Sequence, residues 1–261
     1  MKRIISKDGT SIACWQEGIG DPLLLVHGTT SDHLAWSPVT LLKQQFSVWT
    51  MDRRGRGHSK DSPNYSLERE CEDIAAVIDA IGTSVHLVGH SFGGLCSLEA
   101  TRLTNNLQSL ILYEPSISLA GSGWSSAVKT SMERLHDSED WEEVLLHFYR
   151  DILKTPRAEL VALQTGPGWK ARVATSHTVL RELRSIDHYV FNPQRFNSLQ
   201  IPVLLLLGGD SSSRRYETAS LLSQGLPNNR IGILHGQQHS AMRTAPDLFA
   251  HEIMKFLKEQ P

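Results

Sequence analysis

The chain has 261 residues, 40% of them hydrophobic and 21% charged, and a formal net charge of -2. That length can bury a sizeable core, as one large domain or as a core with an insertion. A near-neutral balance argues against a nucleic-acid partner held by charge, which needs a basic face.

In chain order, Ser11 to Gln16 alternates and reads as a strand after the Asp8-Gly9 turn. Pro22 to Val26 is apolar on both faces and runs into His27-Gly28-Thr29-Thr30, as a central strand of a parallel sheet would. Phe46 to Met51 is a second such strand, ending in Asp52-Arg53-Arg54-Gly55-Arg56-Gly57-His58-Ser59. Ser66 is placed to cap a helix whose Leu67, Cys71, Ile74, Ile78 and Ile81 keep helical spacing, and Gly82 ends it. Val85 to Val88 is the next strand, followed by a helix with Leu95, Leu98 and Leu103 on one side. Leu107 to Tyr113 is another buried strand, stopping at Glu114-Pro115.

Strand–helix alternation of this kind marks a parallel α/β sheet. It lapses from Ser116 to about Asn197, where only helix patterns occur. Trp141, Val144, Leu145, Phe148 and Ile152 fall at helical spacing after Ser138, a candidate N-cap. Alternation resumes with the strand Ile201 to Leu207 and the turn Gly208-Gly209-Asp210. A helix around Tyr216 to Gln224 and a strand Ile231 to Leu234 lead to His235-Gly236-Gln237-Gln238-His239. A final helix opens at Thr244-Ala245-Pro246-Asp247, a capping-box form, and directs Phe249, Ile253, Phe256 and Leu257 inward.

Three cysteines, Cys14, Cys71 and Cys96, are odd in number and hold no C-x-x-C pair, so neither a disulfide framework nor a zinc site is expected. Basic residues near Met1 precede no hydrophobic region of the secretory type, and Val203 to Leu207 is far too short to cross a bilayer. A cytoplasmic protein without membrane contact is the expectation; oligomeric state is silent.

The chemistry centres on Gly89-His90-Ser91-Phe92-Gly93, a Gly-x-Ser-x-Gly pattern between a strand and a helix. It places a serine at the apex of a sharp turn, beside helix N–H groups that can bind a developing oxyanion. A serine alcohol needs a base, and the base needs an acid to hold its tautomer. Asp210 and His239 both follow predicted strands, in the order Ser, acid, His. Carboxyl ends of parallel strands are where sites in such sheets form.

Four segments together resemble the α/β-hydrolase superfamily: Leu25 to Thr29, Asp52 to Ser59, the Gly89 to Gly93 elbow, and Gly236-Gln237-Gln238-His239 with the final helix. The resemblance implies an α/β fold whose mostly parallel sheet has helices on both faces. Residues 1–116 and 197–261 would form the core, and 117–196 an inserted helical cap. It implies Ser91 as nucleophile, His239 as general base, and the N–H groups of Thr29 and Phe92 as oxyanion donors. His235 is the weaker base candidate. For the acid, relatives often carry strand-Gly-x-x-Asp, one residue longer than Gly208-Gly209-Asp210, which leaves Ser211 at the usual place. Asp210 is the first choice, and Glu114, at the end of the preceding strand, is the alternative. His27 and His90 shape their turns and, with Trp124 and Trp141, are the candidates for the substrate pocket. Arg53, Arg54 and Arg56 read as a structural turn with one arginine paired to a carboxylate.

A serine at this position separates the chain from epoxide hydrolases and haloalkane dehalogenases, which resemble it elsewhere but use an aspartate. The implied reaction is acyl transfer to water from a small-molecule ester, thioester or lactone, with no cofactor and no metal. Carbon–carbon bond hydrolysis and cofactor-free haloperoxidase chemistry use the same parts. A non-catalytic ligand receptor on a hydrolase scaffold is the alternative of another class.

Overall fold

The computed structural model describes residues 1–119 and 125–259. Strand β1 (Lys2–Ile5) pairs antiparallel with β2 (Ser11–Glu17), and β2 pairs antiparallel with β4 (Phe46–Met51). All other neighbours in the eight-stranded sheet are parallel: β3 (Asp21–Val26) with β4 and with β5 (Val85–His90), then β6 (Leu107–Tyr113), β7 (Val203–Gly208) and β8 (Asn229–Leu234). The order is β1-β2-β4-β3-β5-β6-β7-β8. The chain therefore builds outward from β3 to β4, then crosses to β5 on the other side. That reversal opens a crevice at the carboxyl ends of β3 and β5, the usual place for a site in an open α/β sheet.

Helix α1 (Leu67–Ile81) starts where Ser66 accepts the Arg69 N–H at 3.3 Å and ends at Gly82 with φ 82°. Helix α2 (Ser91–Ala100) follows β5 directly. Between β6 and β7 the described chain contains helices and no strand: α3 (Ser126–Asp137), α4 (Trp141–His147), α5 (Arg157–Thr165), α6 (Trp169–Ala174) and α7 (Val179–His188). A π-turn, Phe148–Ile152, extends α4. Helices α8 (Ser213–Gly225), α9 (Ala241–Thr244) and α10 (Pro246–Lys258) complete the core.

Period-two alternation along the strands divides the core between the faces of the sheet. Leu24 and Val26 join Ile74 of α1 and Leu95 of α2 on one face, and Leu23 and Leu25 join Phe249 and Ile253 of α10 on the other. Val203 to Leu207 is buried throughout, which explains its unbroken apolar run. Burying a leucine fully contributes about 1.5–3 kcal/mol.

One strand goes unannounced by the sequence, and three local expectations need correction. Strand β1 lacks an apolar alternation to announce it and is held as an edge by backbone pairing with β2. Ser138 closes α3, while Asp140 caps α4 by accepting the Glu143 N–H at 3.2 Å. Leu103 lies beyond the end of α2 and is exposed. Thr244 ends α9 instead of capping α10, and its hydroxyl donates to Gln237 Oε1 at 2.7 Å.

Candidate active site

The turn from β5 into α2 holds Ser91 at φ 56°, a left-handed conformation that costs a residue with a Cβ about 1–3 kcal/mol. It persists because the turn is packed from all sides. A Cβ on Gly89 would stand 2.5 Å from Ser97 Oγ and 2.7 Å from the Gly94 Cα, and one on Gly93 would collide with the His27 carbonyl oxygen. The two flanking glycines let helix α2 lie against β5 and the loop after β3. Ser91 is thereby set at the helix N-terminus, where the first N–H groups, Phe92 among them, have no intrahelical acceptor.

The register of β5 with β6 pairs His90 with Tyr113, so the next residues, Ser91 and Glu114, leave adjacent strand ends. Glu114 has φ 43° and is buried. Its carboxylate oxygens are differently engaged. Oε1 accepts the Gly208 N–H at 2.9 Å and the Ser211 hydroxyl at 2.5 Å, and Oε2 faces His239 Nδ1 at 2.7 Å. Arg215 Nε lies 3.5 Å from Oε2. Burial alone would raise this carboxyl; the hydrogen bond and charge of His239, with Arg215 and Ser211, hold it at about 2. His239 itself is pushed below the ordinary imidazole value by burial and by Arg215, with Glu114 pulling the other way.

The carboxylate on His239 is thus that of Glu114. Asp210 is exposed, and its backbone N–H donates to the Gln237 carbonyl at 2.9 Å. The physical reason lies in the short loop after β7: Ser211 occupies the place that a one-residue-longer loop would give to a carboxylate, and there it donates to Glu114 instead. His235 is exposed as well.

His90 and His27 have separate duties. His90 Nε2 donates to the His239 carbonyl at 2.9 Å, and the rings stand 4.6 Å apart, so His90 sets the backbone from which His239 projects. Burial holds His90 well below its ordinary pKa and therefore neutral. His27 lies beneath the site and lines neither of the cavities that reach Ser91. Its Nδ1–H donates to the Gly28 carbonyl at 2.8 Å while Nε2 accepts the Arg53 N–H at 3.1 Å. Burial and Arg53 lower its pKa to about 3, in keeping with that neutral tautomer. Trp141 also lies away from both cavities, in ring contact with His136 and His177. Trp124 falls outside the described residues.

Two cavities meet at Ser91. One, of about 280 Å³, is lined by Thr29, His90, Tyr149, Arg172 and His239. The other, of about 480 Å³, includes Thr29, Ser116, Lys154, Arg214 and Arg215 in its wall. The Ser91 hydroxyl is hydrogen-bonded to Ser116 Oγ at 3.1 Å. The loop after β3 is held from above: Thr30, at φ 62°, shares a 2.7 Å hydrogen bond with Tyr149 Oη, and its carbonyl accepts from Arg172 at 2.6 Å. Ser116, Tyr149, Arg172 and Arg215 carry no sequence signal of their own; only the fold brings them here.

The matching family model, described as the alpha/beta hydrolase family, covers residues 23–252. The chain belongs to this family. A solved alpha/beta hydrolase from Sphaerobacter thermophilus is 31% identical, superposes with a TM-score of 0.87, and is matched over 98% of this chain and all of its own length. The Rhodococcus esterase RhEst1 is 24% identical with a TM-score of 0.77, over 100% of this chain and 99% of that one. A 2-hydroxy-6-oxo-2,4-heptadienoate hydrolase from Pseudomonas putida is 25% identical over 88% of this chain and 87% of its own.

Within this hydrolase fold, the arginines after β4 are structural, and all three are paired. Arg53 binds Glu70 through two nitrogens, at 3.1 and 2.9 Å, and Glu182 of α7 at 2.6 Å. Arg56 also reaches Glu182 at 2.6 Å, and Arg54 grips Asp73 with two contacts of 2.7 Å. Among the described residues, His33, Asp52 and His58 are grouped closely enough to hold a metal ion, with donor atoms within 4.8 Å of one another. Asp52 is already committed there: it accepts both N–H groups and the His33 ring at 2.7–2.8 Å, which makes the group a turn clamp. No helix among the described residues is long and apolar enough to cross a membrane.

Proposed function

We propose that the protein is a serine hydrolase cleaving a small-molecule carboxylic ester, thioester or lactone through an acyl-enzyme on Ser91. One observation carries the reading: the Glu114–His239 hydrogen bond of 2.7 Å, in a residue set whose His239 and Ser91 line one cavity. The carboxylate fixes the proton on His239 Nδ1, which leaves Nε2 free to accept. The resting hydroxyl turns from Ser116 to His239 as substrate binds, since catalytic hydrogen bonds tighten in the complex.

Attack of Ser91 Oγ on the carbonyl passes its proton to His239, and Glu114 balances the imidazolium. The oxyanion accepts from the N–H groups of Thr29 and Phe92, the latter at the positive end of α2. Collapse expels the alcohol or thiol, which takes the proton from His239. Water then enters, His239 again acts as base, and the carboxylic acid leaves with Ser91 restored. The esterase among the similar structures accords with this class, whereas the dienoate hydrolase, whose substrate carries no ester, accords with the carbon–carbon alternative built on the same parts. In this reading residues 117–196 are the cap, whose Tyr149 and Arg172 hold the oxyanion loop. Three buried free cysteines support a reducing, cytoplasmic setting.

A fluorophosphonate probe tests the proposal directly. Wild type should be labelled once and hydrolyse short aryl esters, while Ser91→Ala should do neither. Equal labelling of the two proteins would overturn it.

A further inference from the structure

We propose that the larger cavity is an anion subsite, built to hold a carboxylate borne by the acyl group of the substrate. The inference rests on the serine-hydrolase reading and adds to it the charge of the substrate. The general acid that protonates the leaving group is His239, so the leaving group must lie in the cavity that His239 lines. The other cavity touches Ser91 and Thr29 but not His239 and so receives the acyl chain.

That acyl cavity is positively charged although the whole chain has a net charge of -2. Lys154, Arg214 and Arg215 line it against one carboxylate, Asp151. Asp151 is already neutralised by Arg150 at 2.9 Å and faces His147 at 2.8 Å. Among the described residues neither Lys154 nor Arg214 has an ion-pair partner, and Arg215 leans on Glu114 through a contact of 3.5 Å. Residues 120–124, Ala-Gly-Ser-Gly-Trp, add no charge.

The placing of Lys154 is specific. The π-turn ends with the Leu153 N–H on the Phe148 carbonyl, and the Thr155 N–H reaches the Tyr149 carbonyl, both at 2.9 Å. Lys154 between them is held at φ 55°, a conformation a lysine adopts only when its surroundings impose it. This puts the lysine in the walls of both cavities. Unpaired cations in a concave wall concentrate field lines and attract an anion.

The experiment compares two matched pairs of p-nitrophenyl esters: the mono-ester of hexanedioic acid against the hexanoate, and the mono-ester of octanedioic acid against the octanoate. Each pair differs in a terminal carboxylate against a methyl group. The quantity read is the ratio of kcat/KM for the anionic ester to that for the neutral one. In the Lys154→Met, Arg214→Met double variant this ratio should fall roughly tenfold or more, mainly through KM, as loss of charge-assisted contacts requires. Lys154→Arg, Arg214→Lys should restore most of it, and raising the salt concentration should lower the wild-type ratio. An unchanged ratio in the double variant of both pairs, with both esters turned over by wild type, overturns the subsite alone. Failure of wild type to turn over any of the esters, with Ser91 unlabelled by a fluorophosphonate, overturns the hydrolase reading and the subsite with it.

Discussion

Replacing Glu114 with glutamine is the sharpest test of the site, because the hydrogen bonds predict how the amide must sit. Gly208 N–H and the Ser211 hydroxyl both donate to the position of Oε1, so the amide oxygen takes that place. The amide nitrogen then falls at Oε2, 2.7 Å from His239 Nδ1, and donates to it. Nδ1 becomes an acceptor, the ring proton moves to Nε2, and His239 can no longer take a proton from Ser91. A wrong tautomer of this kind costs about 10⁴-fold in the type case, roughly 5 kcal/mol of transition-state stabilisation. Glu114→Gln should therefore lose about that factor in kcat on an aryl ester while keeping its melting transition. Asp210→Asn, altering an exposed side chain, should stay within about twofold, in line with ordinary surface substitutions. Steady-state kinetics with purified variants decide the matter. A Glu114→Gln enzyme within tenfold of wild type, or an Asp210→Asn enzyme as damaged as expected for Glu114, would refute the reasoning.

Other consequences follow from the same contacts. Because burial and Arg215 depress the His239 pKa, the acid limb of kcat/KM should fall below the ordinary imidazole value of about 6.5. In the proposed mechanism His239 works as the neutral base, so Arg215→Gln, by raising that pKa, should move the acid limb upward; a pH profile that shifts down contradicts this. Glu182 has its pKa held at about 2, burial opposing and Arg53 and Arg56 prevailing. Glu182→Gln leaves those two buried guanidinium groups short of a charge and should cost about 3–5 kcal/mol in urea unfolding. Gly93→Ala drives a Cβ into the His27 carbonyl and should abolish soluble expression or labelling of Ser91, whereas a normal yield of labelled protein would show the elbow can give way.

Local signals sufficed for much of the framework. Buried parallel strands need continuous apolar runs, so Leu23 to Val26 and Val203 to Leu207 are legible as such, and Ser66 and Gly82 bound α1 as their side chains require. The strained serine turn is legible too, because only glycines admit so close a helix. These features are properties of a few adjacent residues, and the chain writes them locally.

The partnership around His239 is of another kind. Asp210 and Glu114 both follow strands and both fall between Ser91 and His239 in the chain, and only the nearness of Asp210 to the usual strand-Gly-x-x-Asp place favoured it. The choice depends on how far the loop after β7 reaches, and on Ser211 and Gly208 turning Oε1 of Glu114 while Oε2 meets His239, contacts that span about a hundred residues of chain or more. Likewise Arg53 and Arg56 find Glu182, and Thr30 finds Tyr149, across more than a hundred residues. The sequence alone determined the elbow and the sheet that presents Ser91. Tertiary structure decided which carboxylate meets His239 and which cations line the larger cavity at Ser91, because hydrogen-bond partners in a folded chain are selected by distance in space.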